Sequence, residues 1–170
     1  MSSKIKSYPG KEVELADLAA QKFLSTSYQT TLRYSWTSGV AVSRFLDGLK
    51  EGKLWARKCY KCGRVMIPPR MYCEEDFRPT DRWVRVKDTG TVNTFSISFV
   101  NNDASRRDKP IIVSVIDIDG ASPNMGILHL MGEVEPKEVE IGMKVEAVWK
   151  PKEKREGSIT DIMYFRPRDR

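Results

Sequence analysis

The stretch CYKCGRVMIPPRMYCEEDF, residues 59–77, holds all three cysteines of this 170-residue chain and constrains its fold more than any other feature. Cys59 and Cys62 form a CxxC knuckle, and Gly63 follows where such a turn needs a positive φ. Cys73 opens a second knuckle, in which Asp76 stands at the spacing of the missing fourth cysteine. A structural zinc ion wants four N, S or O donors in a tetrahedron, and a tight turn points two thiolates to one side. The expected ligands are therefore Cys59, Cys62, Cys73 and Asp76, with Glu74 and Glu75 as nearby competitors for the last place. A module this small has little core of its own, so a metal staple is the expected source of its stability. An odd, local set of cysteines makes a poor disulfide framework and points to a reducing, cytoplasmic setting. No apolar run is long enough to span a bilayer, and the first residues lack the apolar core of a secretory signal.

The net charge of +6 is concentrated around the same residues. Residues 53–87 carry ten Lys and Arg against four Asp and Glu, whereas residues 1–52 carry a net +2 and residues 88–170 a net −2. A local basic field attracts an anionic partner.

Three zones follow one another along the chain. Residues 1–52 read as helical. VELADLAAQKFL is rich in helix formers, with an apolar stripe through Val13, Ala16, Ala20 and Leu24. A second helix is capped by Thr37 or Ser38, shares Val42, Phe45, Leu46 and Leu49 on one face, and ends at Gly52. Residues 53–81 form the cysteine ribbon, in which Pro68 and Pro69 forbid helix. From residue 82 to 170 the apolar period becomes two. WVRV leads into TVNTFSISFV, where Phe95, Ile97 and Phe99 alternate with Thr94, Ser96 and Ser98. PIIVSVIDID, GILHLMGEV, KVEAVW and ITDIMYFRP follow, with loop-like polar segments at 101–109 and 150–158. About five short strands cannot leave their edges open, and a closed barrel of OB type is the economical solution. The fold class is thus mainly β, a zinc ribbon followed by a five-stranded OB barrel, with N-terminal helices.

No catalytic residue is assigned. There is one histidine, His129, in an apolar run that reads as a strand. No nucleophile elbow, phosphate-binding P-loop or dinucleotide fingerprint occurs. Asp117 and Asp119 alternate along a strand and read as a solvated edge. OB-folds that bind single-stranded nucleic acid use aromatics and cations on strands two and three. Here PIIVSVIDID and GILHLMGEV carry neither, so a nucleic-acid role is the alternative reading rather than the leading one.

The phrases FLDGLKEGKLWARKCYKCGRVMIPPRMYC, DTGTVNTFSIS, IGMKVEAVW and YFRP resemble a family that fuses a rubredoxin-like zinc ribbon to an OB-fold, long filed as a domain of unknown function. The resemblance runs from about residue 34 to 167. It implies a non-catalytic subunit associated with thiolases and related acyl-CoA condensing enzymes. Archaeal members imply a bridge between acetoacetyl-CoA thiolase and hydroxymethylglutaryl-CoA (HMG-CoA) synthase, an early step toward mevalonate and isoprenoids, with CoA held in a shared site. The family's metal ligands fall on Cys59, Cys62 and Cys73, and the fourth position, commonly cysteine, is Asp76. No motif marks CoA-contacting residues. Lys58, Lys61, Arg64 and Arg70 suit its phosphates by charge, Arg70 being fixed behind two prolines.

Overall fold

A ribbon this small cannot bury much by itself, and the chain solves this by packing ribbon and barrel around one continuous core. The computed structural model describes residues 14–24, 26, 28–101 and 103–168. It divides into two units, residues 1–36 and residues 37–170.

In the first unit, α1 spans only Leu15–Ala19 and buries no residue. The longer amphipathic helix expected from the sequence does not form, because five residues without a packed face cannot offset the cost of helix nucleation. Gln21, at φ 52°, turns the chain out of the helix, and Val13 of the expected stripe lies outside the described residues. Tyr34 and Trp36 meet edge to face at 5.8 Å.

The second unit opens with α2, Gly39–Lys50. Its buried face is Ala41, Phe45, Gly48 and Leu49, while Val42 remains 41% exposed. The stripe expected from Val42 is thus rotated toward Gly48, where Trp55 approaches the helix backbone. Ser38 is the N-cap residue, but the first amide, Gly39 N–H, donates to Thr37 Oγ1 at 3.3 Å. Gly52 takes φ 71° just past the helix end, as expected.

The ribbon consists of β1 (Leu54–Lys58), β2 (Val65–Met66), β3 (Tyr72–Cys73), β4 (Arg78–Pro79) and β5 (Arg82–Val86). A three-stranded sheet has the order β2–β1–β5, and β3 and β4 form a separate hairpin. WVRV is therefore not the start of a barrel strand. It is the centre of β5, paired along its whole length with β1 from Leu54↔Val86 to Lys58↔Arg82.

The barrel is built from β6 (Thr89–Val100), β7 (Arg106–Ile118), β8 (Gly126–Met131), β9 (Lys144–Trp149) and β10 (Ile162–Pro167). It closes in the order β10–β8–β7–β6–β9, with β8 and β10 parallel and the other pairs antiparallel. This is the five-stranded OB arrangement, and closure leaves no barrel edge exposed. A bulge between Val92 and Thr94 shifts the inward parity of β6. Before it Gly90 and Val92 face the core; after it Phe95 and Ile97 do, while Phe99 lies out on the exposed end of the strand. Strand β7 begins at Arg106, so the segment expected to be loop as far as Lys109 is a hairpin turn followed by paired strand.

Ribbon and barrel are joined by backbone and core. Ser122 N–H donates to the Val65 carbonyl at 2.9 Å, and Val65 N–H returns a bond to Ser122 Oγ at 2.9 Å. One buried cluster runs from Phe45 and Leu49 through Leu54, Ala56 and Met66 to Ile116, Val145 and Phe165. Fully burying a side chain such as Phe165 contributes roughly 2–3 kcal/mol. Among the described residues no helix is long and apolar enough to cross a membrane.

Candidate metal centre

Two turns bring four donors together. The first lies between β1 and β2, where Cys59 N–H donates to the Arg64 carbonyl at 2.9 Å and Gly63 takes φ 77°. The second lies between β3 and β4, with Cys73 on β3 and Asp76 in the turn. Here Phe77 takes φ 49° directly after Asp76, just as Gly63 follows Cys62. Each knuckle thus turns on a left-handed residue behind its second donor, although only the first uses glycine.

The four donor atoms of Cys59, Cys62, Cys73 and Asp76 all lie within 4.8 Å of one another. Cys59 Sγ is 3.1 Å from Asp76 Oδ2, Cys62 Sγ is 3.5 Å from Cys73 Sγ, and Cys73 Sγ is 3.7 Å from Asp76 Oδ2. Tetrahedral zinc bonded at about 2.3 Å to sulfur and 2.0–2.2 Å to oxygen requires donor separations of about 3.5–3.8 Å. The cage therefore fits the ion with only small adjustments, and three sulfurs with one carboxylate suit zinc chemically. Glu74 and Glu75, the competitors for the fourth place, turn outward to Arg64 at 2.8 and 3.0 Å. Four protein donors complete a closed, structural coordination set.

The protonation of the cage follows from its crowding. Hydrogen bonds from Cys59 and Cys62, helped by Lys61, hold the Asp76 carboxyl at about 2 against its desolvation. The Arg64 backbone N–H favours the Cys62 thiolate, but desolvation and the adjacent Asp76, Cys73 and Cys59 outweigh it and push that thiol up to about 12. Desolvation opposes ionisation of Cys73 too, yet the Asp76 and Glu75 backbone N–H groups draw its thiol below the ordinary value. A bound divalent cation would favour the thiolate form of all three cysteines beside the Asp76 carboxylate.

Of the ribbon cations proposed to meet a ligand, Lys61, Arg64 and Arg70 are engaged with acids of the ribbon. Lys61 Nζ lies 3.4 Å from Asp76 Oδ1. Arg64 and Arg70 both clamp Glu74, at 2.8 and 3.0 Å, and Arg64 also reaches Met125 Sδ at 4.0 Å. Sequence reasoning missed a second basic feature. Arg44 of α2 stands 4.9 Å from the rings of both Trp55 and Trp83, and Arg57 stands 4.9 Å from the Trp83 ring. Arg57 is buried and donates to Thr80 Oγ1 at 2.8 Å and to the Thr80 carbonyl. The tryptophans lie on the neighbouring strands β1 and β5, and strand register was needed to read the stack from the sequence.

The other polar candidates are structural. Leu130 N–H donates to His129 Nδ1 at 2.9 Å, which leaves the Nε2 proton to bond the Ile159 carbonyl at 3.2 Å. Asp117 accepts from Asn93 at 3.0 Å and Asp119 from Thr89 at 2.6 Å.

Comparison with known proteins matches this architecture. Residues 46–81 fit the family model described as the rubredoxin-like zinc ribbon domain of ChsH2, and residues 83–150 fit that of the ChsH2 C-terminal OB-fold domain. A DUF35 domain-containing scaffold protein of Methanocaldococcus jannaschii is 27% identical over 113 residues, 65% of this chain and 78% of that protein. One of the same description from Methanothermobacter thermautotrophicus is 28% identical over 120 residues, 68% of this chain and 86% of that protein. Among solved structures, a DUF35 family protein of unknown function from Sulfolobus solfataricus superposes with a TM-score of 0.55 at 29% identity, covering 65% of this chain and 78% of that one. The Ltp2-ChsH2(DUF35) aldolase shares the fold at a TM-score of 0.56 and 19% identity, over 79% of this chain and 98% of its own.

Proposed function

We propose that this chain, which joins the zinc ribbon and OB-fold of the DUF35 family, is a non-catalytic scaffold subunit of a thiolase-type, acyl-CoA condensing assembly. The relatives it matches are named as scaffold proteins. The observation that carries the reading is the segment before α2. Tyr28, Leu32, Tyr34 and Trp36 lie on chain without helix or strand and are 73–84% exposed. Large apolar side chains gathered on an irregular segment mark a surface for another protein. The ribbon is then held rigid by structural zinc at Cys59, Cys62, Cys73 and Asp76, and the OB barrel is a wall along which a CoA thioester is held.

The expected partner is a thiolase, with HMG-CoA synthase as the second enzyme of a bridged pair. Co-purification of the untagged protein from its own cells, followed by identification of what accompanies it, tests this. A thiolase-type enzyme in stoichiometric amount supports the reading, and an isolated monomer sinks it. The pure chain is expected to show no thiolase or hydrolase turnover; activity abolished by a point change within the chain would overturn the non-catalytic assignment.

A second reading has one observation in its favour. Arg106, Arg107 and Lys109 belong to the second barrel strand, beside the exposed Phe99 of the first, and cations with an aromatic on that strand suit single-stranded nucleic acid. Arg107 donates to Asn101 Oδ1 at 2.5 Å and to the Lys109 carbonyl at 3.2 Å on the exposed hairpin. Tight oligonucleotide binding that falls steeply with salt, without thiolase association, is the outcome that would favour it.

A further inference from the structure

The acids of residues 53–87 each meet a cation of the same segment where the chain folds, which leaves the segment's net positive charge in place. Lys61, Arg64 and Arg70 meet Asp76 and Glu74, and Arg78 meets Asp81 at 3.0 Å. Arg57 is buried against Thr80, and Arg82 lies over the Tyr60 ring at 5.3 Å. Among the described residues, Lys58, Arg85 and Lys87 also have no carboxylate within ion-pair distance; Lys58 is half-buried, whereas Arg85 and Lys87 are exposed. Both line one cavity of about 310 Å³, walled by Gly52, Lys53, Leu54, Arg85, Val86, Lys87 and Asp88, where the end of α2 meets β1 and β5.

The cavity's acids and dipoles are accounted for. Glu51 is held by Lys53 at 2.7 Å, and Asp88 accepts the Trp149 indole N–H at 3.1 Å. The last carbonyls of α2, which would repel an anion, accept the N–H groups of Glu51, Gly52 and Lys53. Arg155 adds a cation at the rim. A Cβ built on Gly52 would stand 2.5 Å from its Nη1, and its Nε is tied to the Lys150 carbonyl at 2.8 Å. Arg85 is rooted by register opposite Trp55, and Lys87 by its own amide, which donates to the Asp119 carbonyl at 3.0 Å. Cations fixed at their bases around a concave site are what a phosphate group needs.

We propose that this cavity binds the phosphate groups of a phosphorylated nucleotide, with Arg85 and Lys87 as the contacting side chains and Lys53 at the wall. The proposal rests on the acyl-CoA reading above for the identity of the nucleotide, since CoA carries one, and it moves the phosphate end away from the paired cations of the metal turns.

The test is a titration of the intact chain with inorganic pyrophosphate and, separately, with CoA, followed by amide NMR shifts, for the native protein, Arg85→Glu/Lys87→Glu and Arg70→Glu. Zinc content and amide spectra establish that each variant is folded. Pyrophosphate is expected to shift the amides of Lys53, Arg85 and Lys87, with affinity reduced about tenfold or more in the double variant and little changed in Arg70→Glu. No pyrophosphate binding, or binding that the double variant leaves unchanged, overturns the site. CoA binding that the double variant leaves unchanged overturns it as well, while leaving the scaffold reading intact. Pyrophosphate bound at these residues with no CoA binding, alone or with the partner enzyme, keeps the site and overturns the acyl-CoA reading. An oligonucleotide that binds more tightly than CoA with the same dependence on Arg85 and Lys87 overturns the small-molecule assignment.

Discussion

Cys59 Sγ and Asp76 Oδ2 lie 3.1 Å apart although seventeen residues separate them in the chain. The contact joins the first metal turn to the second, and it makes Asp76 a member of the cage rather than a solvated acid.

Replacing Cys59 by Ser is therefore expected to release the metal and melt the ribbon, because the binding energy of a structural zinc is largely folding energy. Asp76→Cys is expected to bind zinc more tightly, a thiolate being the softer donor. Elemental analysis of protein purified without chelator, at about one zinc per chain for the native sequence, checks both. A metal-free native protein would end the zinc assignment.

Gly48→Ala is expected to destabilise, against the usual preference of helices for alanine. The new Cβ would stand 2.5 Å from Trp55 Cδ1 and 2.8 Å from the Lys53 carbonyl. Overpacking of this kind costs about 1–3 kcal/mol, against a helix-propensity gain of about 1 kcal/mol. Chemical denaturation should show a net loss of up to about 2 kcal/mol, and a gain would show that Trp55 does not hold this position.

Phe77→Gly is expected to leave the fold intact and to stabilise it slightly. Phe77 is 90% exposed and sits at φ 49°, where an aromatic residue costs about 1–2 kcal/mol relative to the right-handed region. Part of that gain is returned through the greater freedom of glycine in the unfolded chain. A large loss of stability or of zinc would assign the phenyl ring a packing role.

Asp161 supplies the pH dependence. Its fully buried carboxylate accepts N–H bonds from Glu156, Gly157 and Ser158, at 2.7–3.2 Å, and closes the loop before β10. Desolvation alone would raise its pKa, but these bonds and Lys150 lower it below the ordinary 3.8. A folded-state pKa below the unfolded one contributes stability that is present above the unfolded value and lost as pH falls through the folded value. Thermal melts of native protein and Asp161→Asn should thus differ at neutral pH and converge as the pH falls below about 4. Asp161→Ala, which strands the three amides, should cost about 2–4 kcal/mol at neutral pH. A gap that stays constant into acid would mean that the charge does not matter there.

The metal cage was legible because its spacing is local: Cys59 to Cys62 and Cys73 to Asp76 each form one turn, and a turn's geometry follows from residue type within a few positions. The barrel was legible for a similar reason, since strand alternation reports which face is buried. What could not be read were the relations set by register. WVRV alternates like a barrel strand, and only its pairing with β1 assigns it to the ribbon. The bulge at Asn93 changes which face of β6 turns inward, and the β6–β7 hairpin carries strand structure back to Arg106. Charge was read as a sum over residues 53–87, but the energy of a cation depends on what stands within a few ångströms. Glu74 stands one i,i+4 step from Arg70 in the chain, and comparably close to Arg64 only in space. By itself the sequence determined that there is a ribbon with four donors, a five-stranded barrel and a basic centre. Only the tertiary structure decided which cations are neutralised and which, at Arg85 and Lys87, are left facing a cavity, because ion pairing falls off over distances that chain order does not encode.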